Sequence, residues 1–384
     1  MTKQFRVRFA VGVSEGDFSS LGQSLAGKRV LVITSPTVNN LYGSALKAGL
    51  KSQEIIYAYH VVQLGERRKK LETVKHICEI AAQFGLDRKG AMLAIGGGVC
   101  TDVVTLSASL VRRGIEHFRI PTTLVGQIDA GIGIKGGVNL SSCKNIVGCF
   151  HPPAEVIIDK SFLRSLNISH IRQGLAEILK MALIADRALF EDLRKSSDLL
   201  MLSKFQQPEP YAQQILSRAI QLMLYQLSTN PYENKTLKRF VDMGHTFSPL
   251  LETASGFRIA HGEAVAVDMA LCCLIAQSLG LMKLEEAEAF IRFLWHLGLP
   301  IFSPLLSMAF CKKALEHAML HRGGQLNLVI PLAIGEATFI DYEPLIGGNA
   351  LSSAIGRLAA MDRDFSDGQL ITIGNQNVSE QFTT

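Results

Sequence analysis

The chain has 384 residues, 48% of them hydrophobic, enough for two domains around substantial cores. Lys and Arg number 39 against 34 Asp and Glu, and no basic block stands out, so the balance suits an anionic small molecule and argues against nucleic acid. No apolar run reaches the ~18 residues a membrane span needs, and seven cysteines without a C-x-x-C pair point to a reducing cytoplasm rather than a disulfide framework.

The opening MTKQFRVRFAVGV alternates basic and apolar residues, as a strand does and a signal peptide does not. KRVLVITS (Lys28–Ser35) predicts a strand, Leu41–Gly49 a helix, and EIIYAYHVV (Glu54–Val62) a second strand. Glu66–Gly85 has helical spacing and stops at a glycine. AMLAIGGG (Ala91–Gly98) predicts a buried strand running into three glycines, followed by a helix over about Thr101–Arg113. FRIPTT and EVIIDK supply further short strands, and this alternation predicts a parallel sheet covered by helices. From about Ser161 long helical patterns take over, among them HIRQGLAEILKMALIADRALFEDLRK, YAQQILSRAIQLMLYQL and GEAVAVDMALCCLIAQSLG. QLNLVIPLAIGEATFIDY predicts a strand pair. The expected division is an α/β domain over 1–165, a mainly α-helical domain over 166–345, and a C-terminal helix with a polar, mobile tail over 346–384.

Several stretches carry chemistry. In AIGGGVCTD, Gly96, Gly97 and Gly98 form a turn that lets a ligand approach the backbone at a helix N-terminus; a tight strand-to-helix turn reads equally well. Asp102 sits in the helix's first turn, suited to the dipole or to a ribose hydroxyl. Pro121–Asn145 is glycine-rich, with little helical periodicity, and reads as a long irregular loop. There Lys135 and Lys144 suit phosphate and Asn139 and Asn145 suit hydroxyls, unless the loop is merely solvated. Glu177 lies in an apolar helical pattern, three residues before Lys180, and a carboxylate on a buried face needs a partner. His245 and His261, in GHTFSPLLETASGFRIAHGE, are either polar residues near helix ends or metal ligands. With Glu177 they make a two-histidine, one-carboxylate set that leaves a coordination position open, as catalytic sites do.

In this order, GGGVCTD, RRG, PTTLVGQIDAGIGIKGGVN, GLAEILK, GHTFSP and HGEAVAVDMA resemble the motifs of 3-dehydroquinate synthase and the related sugar phosphate cyclases, over about Val30 to Tyr342. The resemblance implies a dehydroquinate synthase-like fold, NAD and a divalent metal (zinc or cobalt) as cofactors, a sugar phosphate substrate and a homodimer. It implies Glu177, His245 and His261 as metal ligands. The implied cofactor contacts are Glu66, Lys69, Gly96, Gly97, Gly98, Asp102, Thr122, Thr123, Asp129, Lys135 and Lys144. Substrate and catalytic roles fall on Arg113, Lys135, Asn145 and Lys180, with Asp242 beside the sugar.

The departures point to one branch. Asp242 stands where dehydroquinate synthases carry asparagine, Pro249 where they carry histidine, and Lys238 where arginine is usual. A lysine pair common near the C-terminus is replaced by His321–Gly324, and Ser35 lies where an acidic cofactor contact is often found. The pattern D-x-G-H-T-F-S-P resembles the 2-epi-5-epi-valiolone synthase branch, with cyclases that form 2-epi-valiolone or the gadusol precursor from the same sugar as the alternatives, and this implies cyclisation of sedoheptulose 7-phosphate with loss of phosphate. Gly136, where threonine is common, departs from that branch too. An ionised Asp242 is expected to repel the carboxylate of the dehydroquinate precursor.

Overall fold

The computed structural model describes residues 5–141, 143–342 and 346–379. The chain packs as two compact units, one comprising the chain up to Met181 with Glu191–Lys235, the other Ala182–Phe190 with the chain from Thr236 onward.

The first unit is built on six parallel strands: β1 (Arg6–Phe9), β2 (Arg29–Thr34), β3 (Ile56–Val61), β4 (Ala91–Gly96), β5 (Glu116–Pro121) and β8 (Glu155–Ile158). Their order is β1-β8-β5-β4-β2-β3. β4 reads AMLAIG and is buried throughout, as a central strand covered on both faces must be. Strand alternation sorts the side chains onto two faces. Val30, Val32, Leu93 and Ile95 share one core with Leu21, Leu25, Leu46 and Leu50. The first two of those leucines come from α1 (Ser19–Leu25), the last two from α2 (Pro36–Ser52). Leu31, Ile33, Met92 and Ala94 share the other core with Val74, Ile77, Val103 and Val104. These come from α3 (Leu71–Gln83) and α4 (Gly98–Leu110).

Each predicted strand and helix of this region is present within a few residues. Pro121–Asn145 differs from the irregular loop expected. Gly126–Ala130 is a π-helical turn, and β6 (Lys135–Leu140) pairs antiparallel with β7 (Cys143–Phe150). Two consecutive glycines, Gly136 and Gly137, hid the strand period by leaving successive positions without side chains to read. α6 (Arg187–Leu202) and α7 (Tyr211–Ser228) follow α5 (Ile168–Ala185), and most of all three helices packs in the first unit. The compact units part within α5 and α6.

The second unit holds α8 (Ser248–Ala254), α9 (His261–Ser278), α10 (Leu284–His296) and α11 (Met308–His321). The predicted strand pair is β9 (Leu328–Ala333) against β10 (Glu336–Ile340). α9 is apolar around its circumference, from Ala264 to Ala276, and fully buried there, which makes it the axis of this unit. α12 (Gly348–Ser379) runs through most of the stretch expected to be a mobile tail; residues 380–384 lie outside the described residues. No helix among the described residues is long and apolar enough to cross a membrane.

β5 carries an unusual cargo. Phe118 and Ile120 face the first core, so alternation turns His117 and Arg119 to the other face, under α4. Both are fully buried. His117 Nε2 lies 3.1 Å from Thr105 Oγ1, and its ring stacks on His151 at 5.0 Å. Burial, then the charge of Arg119, then His151, push the His117 pKa well below the ordinary histidine value. The folded protein thus keeps His117 neutral where the unfolded chain binds a proton, and stability is lost as pH falls below about 6.5, the ordinary value. Urea denaturation of wild type should show this loss between pH 8 and pH 5, by up to about 1.4 kcal/mol per pH unit from this group. His117→Gln should flatten the slope; an unchanged slope would assign the acid lability elsewhere.

Candidate active site

In the first unit the glycine turn is built for close approach. A Cβ on Gly97 would stand 3.1 Å from Thr123 Cγ2, and one on Gly96 2.6 Å from Cys100 Cβ. α4 starts at Gly98, so its first amides and the positive end of its dipole lie at the turn. Thr122 donates its N–H to Gly96 O, and Thr123 Oγ1 accepts the Gly126 N–H, which ties the expected threonine pair to the glycines.

Beside this turn the sequence-assigned polar residues form one network. Lys69, only 4% exposed, donates to Asp102 Oδ2 at 2.6 Å and Asn145 Oδ1 at 2.5 Å. Asn139 donates its backbone N–H to Lys69 O and its amide to Glu66 Oε1, both at 2.8 Å, and accepts the Asn145 N–H at 2.9 Å. Lys144 Nζ stands 3.7 Å from Glu66. Asn145 adopts φ +52°, a left-handed conformation that asparagine tolerates best after glycine. Glu66, Lys69, Asp102, Lys144 and Asn145 are thus brought together by the β6–β7 hairpin. Ser35 caps α2, accepting from Val38 N.

Further along, Lys180 donates to Asp129 Oδ2 at 3.2 Å and pairs with Glu177 Oε2 at 2.6 Å. Burial alone would favour the neutral amine; the two carboxylates outweigh it, and the Lys180 pKa is raised. Lys180 is thereby held against two carboxylates, placed to donate hydrogen bonds. Lys135 pairs with Glu233, a partner the sequence reading missed, and lies near the Phe150 ring. Arg113 does not join these groups within the chain: it is exposed, at φ +68°, in the turn that ends α4. A helix of that length puts it roughly 20 Å from the glycine turn.

In the second unit His245 and His261 stand with ring centroids 5.3 Å apart. His245 Nδ1 lies 3.0 Å from Met243 O, and a carbonyl can only accept, so the proton is on Nδ1. His261 Nδ1 lies 3.1 Å from Glu252 Oε1, with Glu252 buried, which fixes the same tautomer. Both rings therefore keep Nε2 as the basic nitrogen, the arrangement metal-binding histidines use. Gly244, at φ +73°, lets the chain run against α9: a Cβ there would stand 2.9 Å from Val265 Cγ1.

Asp268 holds that loop. Its Oδ2 accepts the N–H groups of Thr246, Phe247 and Ser248 at 2.8, 2.6 and 2.9 Å. Asp268 thereby ties the segment after His245 to the helix that begins with His261. Burial raises its pKa, against the opposing effect of these amides.

Asp242 is not an isolated charge. Arg239 Nη2 pairs with it at 2.7 Å, and Arg322 Nε lies 3.9 Å away. Arg322, buried, also donates to Leu326 O at 2.8 Å and Thr246 Oγ1 at 3.2 Å. Asp242 therefore meets guanidiniums on two sides, which qualifies the expectation that it acts on an acidic substrate by its own charge alone. The His321–Gly324 stretch, where a lysine pair is missing, supplies one of those cations. Lys238 pairs with Asp341 at 2.5 Å, and Pro249 opens α8.

Known proteins agree with this layout. Residues 59–173 match the N-terminal part of 3-dehydroquinate synthase, and residues 174–321 its C-terminal part. The chain belongs to the 3-dehydroquinate synthase family of sugar phosphate cyclases. A 2-epi-5-epi-valiolone synthase from Streptomyces glaucescens is 41% identical over 94% of this chain and 92% of that protein. The solved 2-epi-5-epi-valiolone synthase from Streptomyces hygroscopicus subsp. jinggangensis 5008, with NAD+ and Zn2+ bound, superposes with a TM-score of 0.89. It is 37% identical, with 94% of this chain and 98% of that one covered. A 2-deoxy-scyllo-inosose synthase complexed with carbaglucose-6-phosphate, NAD+ and Co2+ gives 0.78 at 25% identity, covering 92% and 97%.

Asp268→Asn keeps the volume but weakens three charge-assisted bonds to one oxygen. It should cost about 2–3 kcal/mol in urea denaturation at pH 7. Asp268→Glu, too long for the same oxygen to meet all three amides, should not restore the loss. Stability within about 0.5 kcal/mol of wild type for Asp268→Asn would mean that the loop is held by other contacts.

Proposed function

We propose that this chain converts sedoheptulose 7-phosphate to the C7 cyclitol 2-epi-5-epi-valiolone with release of phosphate, using NAD and a divalent metal, zinc or cobalt. The observation that carries this reading is the 41% identity to a 2-epi-5-epi-valiolone synthase along 94% of the chain.

The residues present fit both cofactors. Glu177, His245 and His261 are the group of His, Cys, Asp and Glu side chains among the described residues that could hold a metal ion. Two imidazoles presenting Nε2 and one carboxylate are a donor set suited to Zn2+ or Co2+. The glycine turn at Gly96–Gly98, the first turn of α4 and the Glu66–Lys69–Asp102 network suit a dinucleotide. When bound, NAD supplies a hydride acceptor and the metal a Lewis acid for the alcohol being oxidised.

The chain's own residues then bind and orient. Lys135 meets the substrate phosphate, which competes with Glu233 for the ammonium. Asn145, locked by Lys69, presents its amide to the sugar phosphate. Lys180, kept protonated by Asp129 and Glu177, donates to the oxygen of the carbonyl. Asp242, its charge balanced by Arg239 and Arg322, accepts hydrogen bonds from hydroxyls. Holding the sugar in one conformation lets elimination and ring closure proceed without loss of the intermediate to water. Arg113 belongs to the proposal only by its place in the family motif. The homodimer and the cytoplasmic location are also part of it; all seven cysteines being free supports the latter.

Incubation with sedoheptulose 7-phosphate and substoichiometric NAD+ should release phosphate many-fold in excess of NAD+, with the NADH absorbance flat and a cyclitol as product. Steady NADH accumulation without phosphate would instead indicate a polyol dehydrogenase. The seven-carbon carboxylate sugar phosphate of dehydroquinate synthesis should turn over negligibly; a clear preference for it would return the chain to the dehydroquinate branch.

His245→Ala and His261→Ala should each lose bound metal, by elemental analysis, and activity, while melting within a few degrees of the metal-free wild type. Retention of a full metal equivalent by either variant would remove that residue from the ligand set.

A further inference from the structure

Arg119 is fully buried, and its guanidinium donates to backbone carbonyls and a hydroxyl rather than to a carboxylate. Its guanidinium gathers one loop instead. Nη1 donates to Gly131 O at 3.0 Å and Gly133 O at 2.6 Å; Nη2 donates to Lys135 O at 3.2 Å and to Thr105 Oγ1 at 2.7 Å. The three carbonyls lie between Asp129 and Lys135, the residues assigned above to cofactor and substrate. Burial lowers the Arg119 pKa to about 10, still well above neutrality.

Besides these bonds the loop is held by buried Ile132 and Ile134 and by the His151 N–H, which donates to Ile134 O. Residues 131, 133, 136 and 137 are glycines, which offer no side chain to pack. A Cβ on Gly131 would collide with Gly126 O, and one on Gly136 would stand 2.6 Å from Thr105 Cβ, so the backbone passes too close to its neighbours for side chains. Thr105 completes the anchor. Its hydroxyl donates to Thr101 O at 2.7 Å, so toward Arg119 and His117 it accepts. The fixed fork of a guanidinium can reach acceptors spread along five residues; an ammonium, with its donors at one point, cannot.

We propose that Arg119 is a positioning residue for the reaction: it sets the path of the 131–135 backbone and through it the placement of Asp129 and Lys135. Its effect on turnover rests on the function proposed above; its effect on the loop does not. The first measurement is therefore amide hydrogen exchange on wild type, Arg119→Lys and Thr105→Val. Peptides covering 126–135 should exchange about tenfold faster in Arg119→Lys, and faster to a smaller degree in Thr105→Val, while peptides of β2 and β4 stay at wild-type rates. Unchanged exchange at 126–135, or a rise shared equally by β2 and β4, overturns the proposal. If Arg119→Lys does not fold, Thr105→Val decides by the same comparison. The second measurement is kcat/KM on sedoheptulose 7-phosphate for Arg119→Lys, Lys135→Met and the double variant. Each single change should lose about 100-fold, and the double little more than the larger single loss. Multiplying losses would show that Arg119 does not act through Lys135. A wild-type enzyme inactive on this sugar would sink the substrate reading and leave the exchange result standing.

Discussion

A guanidinium taken wholly out of water must find oxygen for its protons inside the protein, and the first unit is arranged around that requirement at Arg119. Strand alternation in β5 decides where the charge goes: with Phe118 and Ile120 facing one core, His117 and Arg119 must face α4. Water cannot reach them there, and an unsatisfied buried donor costs about 1–3 kcal/mol, more when charged. The backbone carbonyls of 131, 133 and 135, with Thr105 Oγ1, take bonds from both terminal nitrogens only if the loop folds back under α4, while Nε is left without a partner among the described residues. That return delivers β6 to the helix that begins at the glycine turn. β6 and β7 in turn carry Asn139 and Asn145 to Lys69, Asp102 and Glu66. One buried cation thus links the sheet to the loop that leads into this hairpin.

The second unit solves a related problem with a buried anion. Asp268, on α9, collects three successive amides at the start of α8, amides a helix N-terminus leaves without partners of its own. Removing Asp268 from water costs free energy, as the direction of its pKa shift shows, and the amides offset part of that cost. In return the loop bearing His245 has one registry against the helix bearing His261. Met243 O and Glu252 then select the tautomer of each ring. A histidine free to choose its tautomer would present either nitrogen; these two present Nε2.

What the sequence made legible follows from how each feature is encoded. Parallel strands in this sheet are short apolar runs, and β2, β4 and their helices were readable within a few residues. The candidate metal ligands were readable as residue types, since His245, His261 and Glu177 stand out against apolar surroundings. Their supports were not. Asp268 acts on residues about twenty positions away, Met243 acts through a carbonyl every residue possesses, and Glu252 reads as an ordinary helical acid. Arg119 sits in FRIPTT, where a lone cation in a strand pattern suggests an exposed edge. The β6–β7 hairpin was lost to its glycines, and the division of the chain fell within α5 and α6, where no change of composition marks it.

The charges near the site show why a single residue exchange is a poor guide to selectivity. Asp242 in place of asparagine adds a negative charge on paper, yet Arg239 and Arg322 meet it. What the exchange changes is directional. An asparagine amide both donates and accepts, whereas a carboxylate already holding a guanidinium only accepts, from hydroxyls among others. A substrate end that offers hydroxyl donors is matched by such a group, and one that offers a carboxylate is not, because two acceptors cannot bond each other. Selectivity read this way depends on donor and acceptor pattern more than on net charge. Lys180 illustrates the same rule, since the two carboxylates beside it raise its pKa against the effect of its burial.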